Sequence, residues 1–303
     1  MIFQLNKSIN DRIVVPNSYG VDLFLKREDR IHPFISGNKY RKLKYNLDEA
    51  KKLGLNTLLT FGGAYSNHIA AVAFAGKEFG FETIGIIRGE ELKDKIKDNA
   101  TLIFAESCGM QFKFITRESF RLKHTPLFIE KLNQEFEDFY LIPEGGTNAL
   151  AIKGCEEIVT EDDDSFNYVC CSVGTGGTIS GLINSSKCNQ QILGFPALKG
   201  SFLTEDISKF VTKKNWNLMT DYHFGGYAKI NSELIQFINN FKKENNIQLD
   251  PVYTGKMMFG IFDLIKKGYF KKESKILAIH TGGLQGIAGM NKYLEQKELP
   301  IIR

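Results

Sequence analysis

The segment Ser36-Gly37-Asn38-Lys39-Tyr40-Arg41-Lys42-Leu43 sets one lysine directly after Gly-Asn, at the start of a helical pattern and beside two further cations. Neighbouring positive charge favours the neutral amine, and burial favours it further; a neutral amine can attack an aldehyde. The same K-x-x-K pattern also fits a basic helix face in water, so Lys39 has to be judged with its companions. Gly174-Thr175-Gly176-Gly177-Thr178 is the first of these, placed between an apolar strand and a helix. Consecutive backbone N–H groups in such a turn, with a helix N-terminus behind them, can seat a phosphate dianion, and Gly174, Gly176 and Gly177 let the backbone approach it closely. Thr175 and Thr178 can add hydroxyl donors. The spacing fits neither a Walker A loop nor GxGxxG, and alone it is also compatible with a plain tight turn.

Gly62-Gly63-Ala64-Tyr65-Ser66-Asn67-His68 again follows a strand. Ser66 is a good N-cap, yet the N–H groups of that helix start can hold a carboxylate, and Asn67 can bond a ring hydroxyl. His68, one residue on, is open to either a packing or a chemical role. Late in the chain come Asp250-Pro251-Val252-Tyr253-Thr254-Gly255-Lys256 and His280-Thr281-Gly282-Gly283. Thr254 and Thr281 are short hydroxyls that can reach a heteroaromatic nitrogen, and Tyr253 offers a phenol for proton handling or stacking.

The elements that must hold these groups alternate. Strand patterns cover Thr57–Phe61, Thr83–Ile87, Gln111–Ile115, Phe139–Ile142, Tyr168–Val173, Gln191–Phe195 and Lys275–His280. Helical periods cover Asn67–Phe79, Asp98–Cys108, Phe128–Phe136, Ala149–Val159, Ser232–Asn245 and Leu284–Gln296. Such alternation implies α/β architecture with parallel sheets and helices on both faces. Four of the strands end in glycine-rich turns (Gly62-Gly63, Gly145-Gly146, Gly174–Gly177, Gly282-Gly283), and the carboxyl ends of strands are where ligands sit in open sheets. One converging pocket is therefore expected. Residues 48–150 form their own run of strands and helices, so residues 1–47 are expected to join residues 151–303 in a second, larger domain.

The chain has 303 residues, 43% of them hydrophobic, enough for a substantial core. A net charge of +4, from 39 basic and 35 acidic residues scattered along the sequence, supplies no basic face for nucleic acid. Five cysteines show neither an even disulfide framework nor a CxxC metal pattern. No apolar run approaches the roughly 20 residues of a membrane span, and the start MIFQLNKSINDRI lacks the apolar core and cleavage site of a signal peptide. A soluble cytoplasmic protein without bound metal is expected.

Taken together, LKRED, SGNKYRKL, GGAYSNH, IPEGGTNALAIKG, VGTGGTISGL, DPVYTGK and HTGG, in this order, resemble the fold type II (tryptophan synthase β-like) enzymes dependent on pyridoxal 5′-phosphate (PLP). Within them they resemble the family of D-cysteine desulfhydrase and 1-aminocyclopropane-1-carboxylate (ACC) deaminase. The resemblance implies two open parallel-sheet α/β domains with the cofactor between them. It implies Lys39 as the Schiff-base lysine, Gly174–Thr178 as the phosphate cup and Asn67 as the partner of the ring oxygen. Ser66, Asn67 and His68 would lie at the substrate, Tyr253 and Tyr227 over it, and the enzyme would be a homodimer. Threonine at both 254 and 281 resembles the desulfhydrase type; the deaminase type carries Glu and Leu there. A neutral hydroxyl at the ring nitrogen leaves a weaker electron sink, adequate for expelling thiolate. The implied reaction is β-elimination on a small amino acid, D-cysteine giving pyruvate, ammonia and hydrogen sulfide. ACC deamination, lyase or racemase action on another D-amino acid, and a PLP-binding protein without turnover are the alternatives. Tyr65 stands where the family carries Gln, and Tyr40 where a smaller residue is common; both rings are expected to narrow the pocket.

Overall fold

The computed structural model describes residues 4–15, 19–35 and 37–303; Ser36 of the SGNKYRKL motif lies outside the described residues. In chain order the main elements are β1 (Asn10–Arg12), β2 (Asp22–Lys26), α1 (Asn38–Lys52), β3 (Thr57–Gly63), α2 (Asn67–Phe79), β4 (Glu82–Arg88), α3 (Ala100–Ser107), β5 (Gln111–Ile115), α4 (Arg117–Arg121), α5 (Pro126–Phe136) and β6 (Tyr140–Ile142). They continue as α6 (Ala149–Cys155), β7 (Tyr168–Val173), α7 (Gly177–Ser185), β8 (Gln191–Pro196), α8 (Phe202–Ser208), β9 (Trp216–Leu218), α9 (Ser232–Asn245), α10 (Thr254–Lys266), β10 (Lys275–Ile279) and α11 (Gly286–Gln296). Two sheets result, a six-stranded one in the order β1-β2-β10-β7-β8-β9 and a four-stranded one in the order β5-β4-β3-β6. Every pairing is parallel except β1 with β2.

Period-two alternation distributes each strand over two cores. In β7, Cys170 faces the core built with α9 and α10, while Val169, Cys171 and Val173 face the one built with α7 and α8. In β3, Leu58 packs toward α1, α2 and α3, and Leu59 and Phe61 toward α4 and α5. Buried strands covered on both faces need apolar residues on both, which explains why these strands read as continuous hydrophobic runs.

The sequence-based boundaries hold for α2 and α9 and shift at several helix ends. The stretch expected as one helix over Asp98–Cys108 divides at Asn99, whose side chain accepts from the N–H groups of Thr101 and Leu102, both at 3.0 Å, and caps α3. The helix expected over Ala149–Val159 ends at Cys155.

Several close approaches fix α1. Glu28, wholly buried, holds Arg41 with two parallel bonds of 2.8 and 2.9 Å, the bidentate geometry suited to a guanidinium. Gly37, at φ +62°, accommodates a backbone approach that no side chain allows: a Cβ there would lie 2.1 Å from the Thr281 carbonyl oxygen. Gly154 on α6 meets α1 equally tightly, since its Cβ would lie 1.9 Å from the Arg41 carbonyl oxygen. The LKRED segment and two glycines thereby set the helix that begins at Asn38-Lys39.

Candidate active site

The four glycine-rich segments lie at the carboxyl ends of β3, β6, β7 and β10 and line one cavity of about 370 Å³. Lys39 reaches it from the first turn of α1. Its Nζ donates to Asn38 Oδ1 (3.1 Å), and Asn38 Nδ2 in turn donates to Thr178 Oγ1 (2.8 Å). Burial, with the nearby Lys42 ammonium, lowers the Lys39 pKa to about 7, so the amine is available near neutrality. Lys42, one turn on, donates to the Gly145 carbonyl (2.8 Å) and Thr147 Oγ1 (3.0 Å).

Helix α7 starts at the Gly174–Thr178 turn with no side chain capping it, which leaves first-turn N–H groups for a ligand. Gly176 takes the left-handed conformation (φ +84°). A Cβ on Gly177 would meet Thr147 Oγ1 at 2.7 Å and Lys42 Nζ at 3.1 Å. Thr175 Oγ1 lies 2.6 Å from Thr147 Oγ1, and a Cβ on Gly145 would meet Thr175 at 2.9 Å. The Gly145-Gly146 turn and the Gly174–Thr178 turn thus interlock around open amides, hydroxyls and one ammonium, a donor set that fits a phosphate dianion. A free amine of lowered pKa beside it fits an aldehyde. The residues present therefore suit PLP.

On the facing side, Ser66 Oγ accepts from the N–H groups of His68 (3.2 Å) and Ile69 (3.3 Å) as the N-cap of α2. Those two amides are consequently taken, and the Ser66 hydroxyl proton and the Asn67 N–H are what that helix start can offer a carboxylate. Asn67 is held in the cavity wall by Gly283 (φ +92°), where a Cβ would lie 2.7 Å from Asn67 Nδ2. His68 also lines the cavity. Thr60 Oγ1 donates to the Ile142 carbonyl (2.8 Å) and lies 2.9 Å from His68 Nε2. His68 Nδ1 is buried on the side of the Pro143 backbone. Burial, followed by the charges of Lys39 and Lys42, holds the His68 pKa well below its ordinary value, so the ring stays neutral.

Tyr253 lies over the phosphate turn, where a Cβ on Gly174 would come within 3.3 Å of its ring. It meets Tyr227 edge to face, centroids 6.2 Å apart. Burial, reinforced by Tyr227, raises the Tyr253 phenol well above its ordinary pKa, which keeps its proton in place as a donor.

Two expectations are corrected. Thr254 is fully buried and does not line the cavity: its hydroxyl donates to Asp250 Oδ1 (2.6 Å) and accepts from the Asp250 N–H (2.9 Å). An Asx-type turn at the start of α10 consumes it. Thr281 does line the cavity, with Oγ1 3.1 Å from Ser172 Oγ at the end of β7. Tyr40, only 4% exposed, points into the core among Ile31, Ile35 and Leu43 and narrows nothing. Tyr65, 55% exposed, does line the cavity, packed so closely on α11 that a Cβ on Gly289 would lie 3.0 Å from it.

Sequence reasoning named no site role for Asn38, Lys42, Thr147 or Ser172, nor for Arg88 and Glu144, which line the same cavity. For Asn38 and Lys42 the signal was present in the Gly-Asn-Lys and K-x-x-K spacings. Ser172 carried none, being one small residue in an apolar strand.

A family model described as pyridoxal-phosphate dependent enzyme matches residues 14–282. The chain is 32% identical to a Pyrococcus horikoshii protein provisionally named 1-aminocyclopropane-1-carboxylate deaminase, over 90% of this chain and 87% of that protein. It is 29% identical to the bifunctional D-cysteine desulfhydrase/1-aminocyclopropane-1-carboxylate deaminase of Arabidopsis thaliana, over 90% of this chain and 74% of that protein. Among solved structures, an ACC deaminase homologue superposes with a TM-score of 0.81 at 29% identity, covering 96% of this chain and 93% of the other.

Proposed function

The chain belongs to the pyridoxal-phosphate-dependent enzymes, of the D-cysteine desulfhydrase and ACC deaminase type, and on that premise we propose that it catalyses β-elimination from D-cysteine, forming pyruvate, ammonia and hydrogen sulfide. The cofactor supplies an electron sink for bonds broken at the amino acid's α- and β-carbons. The protein supplies placement and proton handling. Lys39 would hold the cofactor, and its Nζ would take the substrate's α-proton, a base suited to neutral pH by its pKa of about 7. The start of α7, with Lys42, Thr147 and Thr175, would hold the phosphate. Asn67 would hold the ring oxygen, and the Ser66 hydroxyl with the Asn67 N–H would receive the substrate carboxylate. Neutral, buried His68 forms the wall beneath. Tyr253, protonated, is the donor that can meet the departing sulfur, with Tyr227 beside it.

The observation that carries the choice of substrate is the Ser172–Thr281 hydroxyl pair in the cavity wall. Neutral hydroxyls at a ring nitrogen leave a sink strong enough to expel thiolate, which is a good leaving group, whereas opening a cyclopropane calls for a stronger one. The reading extends to residues 1–47 with 151–303 and residues 48–150 as the two domains that close on the cofactor. It also takes in a homodimeric assembly in the cytoplasm.

Assays for pyruvate and sulfide with D-cysteine, L-cysteine, D-serine and ACC test it. D-cysteine is expected to give both products with the highest kcat/KM. Release of 2-oxobutanoate from ACC at a comparable kcat/KM would replace the reading with the deaminase, and PLP binding with no turnover of any of the four would replace it with a PLP carrier.

A further inference from the structure

Helix α10 does more than begin at Tyr253. Its positions 253, 256, 259–260 and 263 recur every three to four residues and so form one face, and segment 222–227 runs along that face in the opposite direction. At the far end Tyr222 Oη donates to Asp263 Oδ2 (2.7 Å), and its ring lies where a Cβ on Gly260 would come within 2.8 Å. Next, Phe224 packs edge to face on Phe259, centroids 4.9 Å apart. Then Lys256 Nζ donates to the carbonyls of His223 (2.9 Å) and Gly226 (2.8 Å). Closest to the cavity, Tyr227 meets Tyr253.

The Lys256 contact is the unusual one. Its side chain is 2% exposed, and among the described residues no carboxylate lies within ion-pair distance of Nζ. Burying an ammonium is costly, and burial lowers this pKa to about 8, with the charge of Asp250 offsetting it only in part. The segment it grips holds two non-glycine residues in the left-handed region, Phe224 (φ +54°) and Ala228 (φ +55°), on either side of Gly225 and Gly226 (φ +90° and +121°). Non-glycine residues in that region persist only where the surroundings enforce them. Backbone carbonyls that accept two N–H groups of a buried cation are such an enforcement.

We propose that Lys256 is a positioning residue, pinning the turn 223–226 to α10 so that Tyr227 is held at the mouth of the cavity against Tyr253. It acts on the amino-acid side of the site, through Tyr227, and touches neither the phosphate turn nor Lys39. Tyr227's part at the substrate belongs to the functional reading above, so the test separates the two.

In the holoenzyme, Lys256→Met keeps length and packing while removing all three donors. Amides of residues 224–228 are expected to exchange with deuterium at least about tenfold faster, as a released local segment does, while the visible absorbance and PLP content stay at wild-type values. Lys256→Arg is expected to restore most of the protection. With D-cysteine, Lys256→Met is expected to lower kcat/KM about 10- to 100-fold, the scale of a misplaced binding group, and to add little to Tyr227→Ala. Unchanged exchange in Lys256→Met, or loss of PLP in parallel with activity, would overturn the pin. Accelerated exchange together with full additivity to Tyr227→Ala would likewise overturn its action through Tyr227. If Tyr227→Ala leaves kcat/KM untouched, the functional role assigned to Tyr227 fails, and the exchange data still decide whether Lys256 pins the turn.

Discussion

Lys39 gives the site a pH signature. Its pKa of about 7, against an ordinary 10.5, means that the amine is protonated below neutrality and free above it. PLP capture by apoenzyme is therefore expected to rise with pH through about 7 and then level off, followed by the visible absorbance that develops after mixing. Lys42→Gln removes the neighbouring cation, so the midpoint is expected to move upward. It also deletes a charged donor at the phosphate turn, worth about 1.5–3 kcal/mol or roughly 10- to 100-fold in PLP affinity. A midpoint unmoved in Lys42→Gln would show that burial alone sets the Lys39 pKa. What the sequence made legible at this scale was chemical type: an amine after Gly-Asn, amides in a glycine turn, a phenol after Asp-Pro-Val. Side-chain direction was not legible. Thr254 and Thr281 look alike on paper, but Asp250 captures one hydroxyl and Ser172 shares the other with the cavity. Tyr40 and Tyr65 likewise differ only because one falls on the packed face of α1 and the other in an exposed turn.

The elements matter through a few close approaches that no side chain could replace. Gly37→Ala would force a Cβ against the Thr281 carbonyl at a left-handed φ, so it is expected to destabilise the protein by at least about 2 kcal/mol and to displace Lys39. Denaturant unfolding measures the first effect, and the yield of bound PLP the second. Retention of both at wild-type values would mean that the α1 start is not held by this contact. Buried parallel strands and the helices α2 and α9 could be read from periodicity because each buries a long apolar face. Strands β1 and β2 could not: Asn10 and Arg12 of β1 pair with Asp163 and Asp22 rather than fill a core, and the apolar run of β2 is only Leu23-Phe24-Leu25, too short to show a period. The place of β2 follows from pairing with β10, far away in sequence, and that of β1 from pairing with β2.

At the scale of the molecule, turns from both sheets line one cavity, and the groups that fit the cofactor come from both: Gly174–Thr178 after β7 of the six-stranded sheet, Ser66, Asn67 and Thr147 after β3 and β6 of the four-stranded one, with Lys39 and Lys42 supplied by α1. A ligand that binds only the folded state stabilises it, by about 2.7 kcal/mol at a hundredfold excess over Kd. Removing PLP is therefore expected to lower Tm, and adding it back to restore Tm. Pyridoxal, which lacks the phosphate, is expected to restore far less, because the start of α7 and Lys42 would have no dianion to bind. Equal restoration by both compounds would argue against the phosphate cradle. The most direct test is borohydride reduction of the PLP-loaded wild-type protein, followed by digestion and mass mapping of the pyridoxyl group. The expected result is a single modified residue, Lys39, with none in Lys39→Ala; modification of Lys42 in its place, or of no lysine in the cavity, would contradict the assignment on which the whole reading rests.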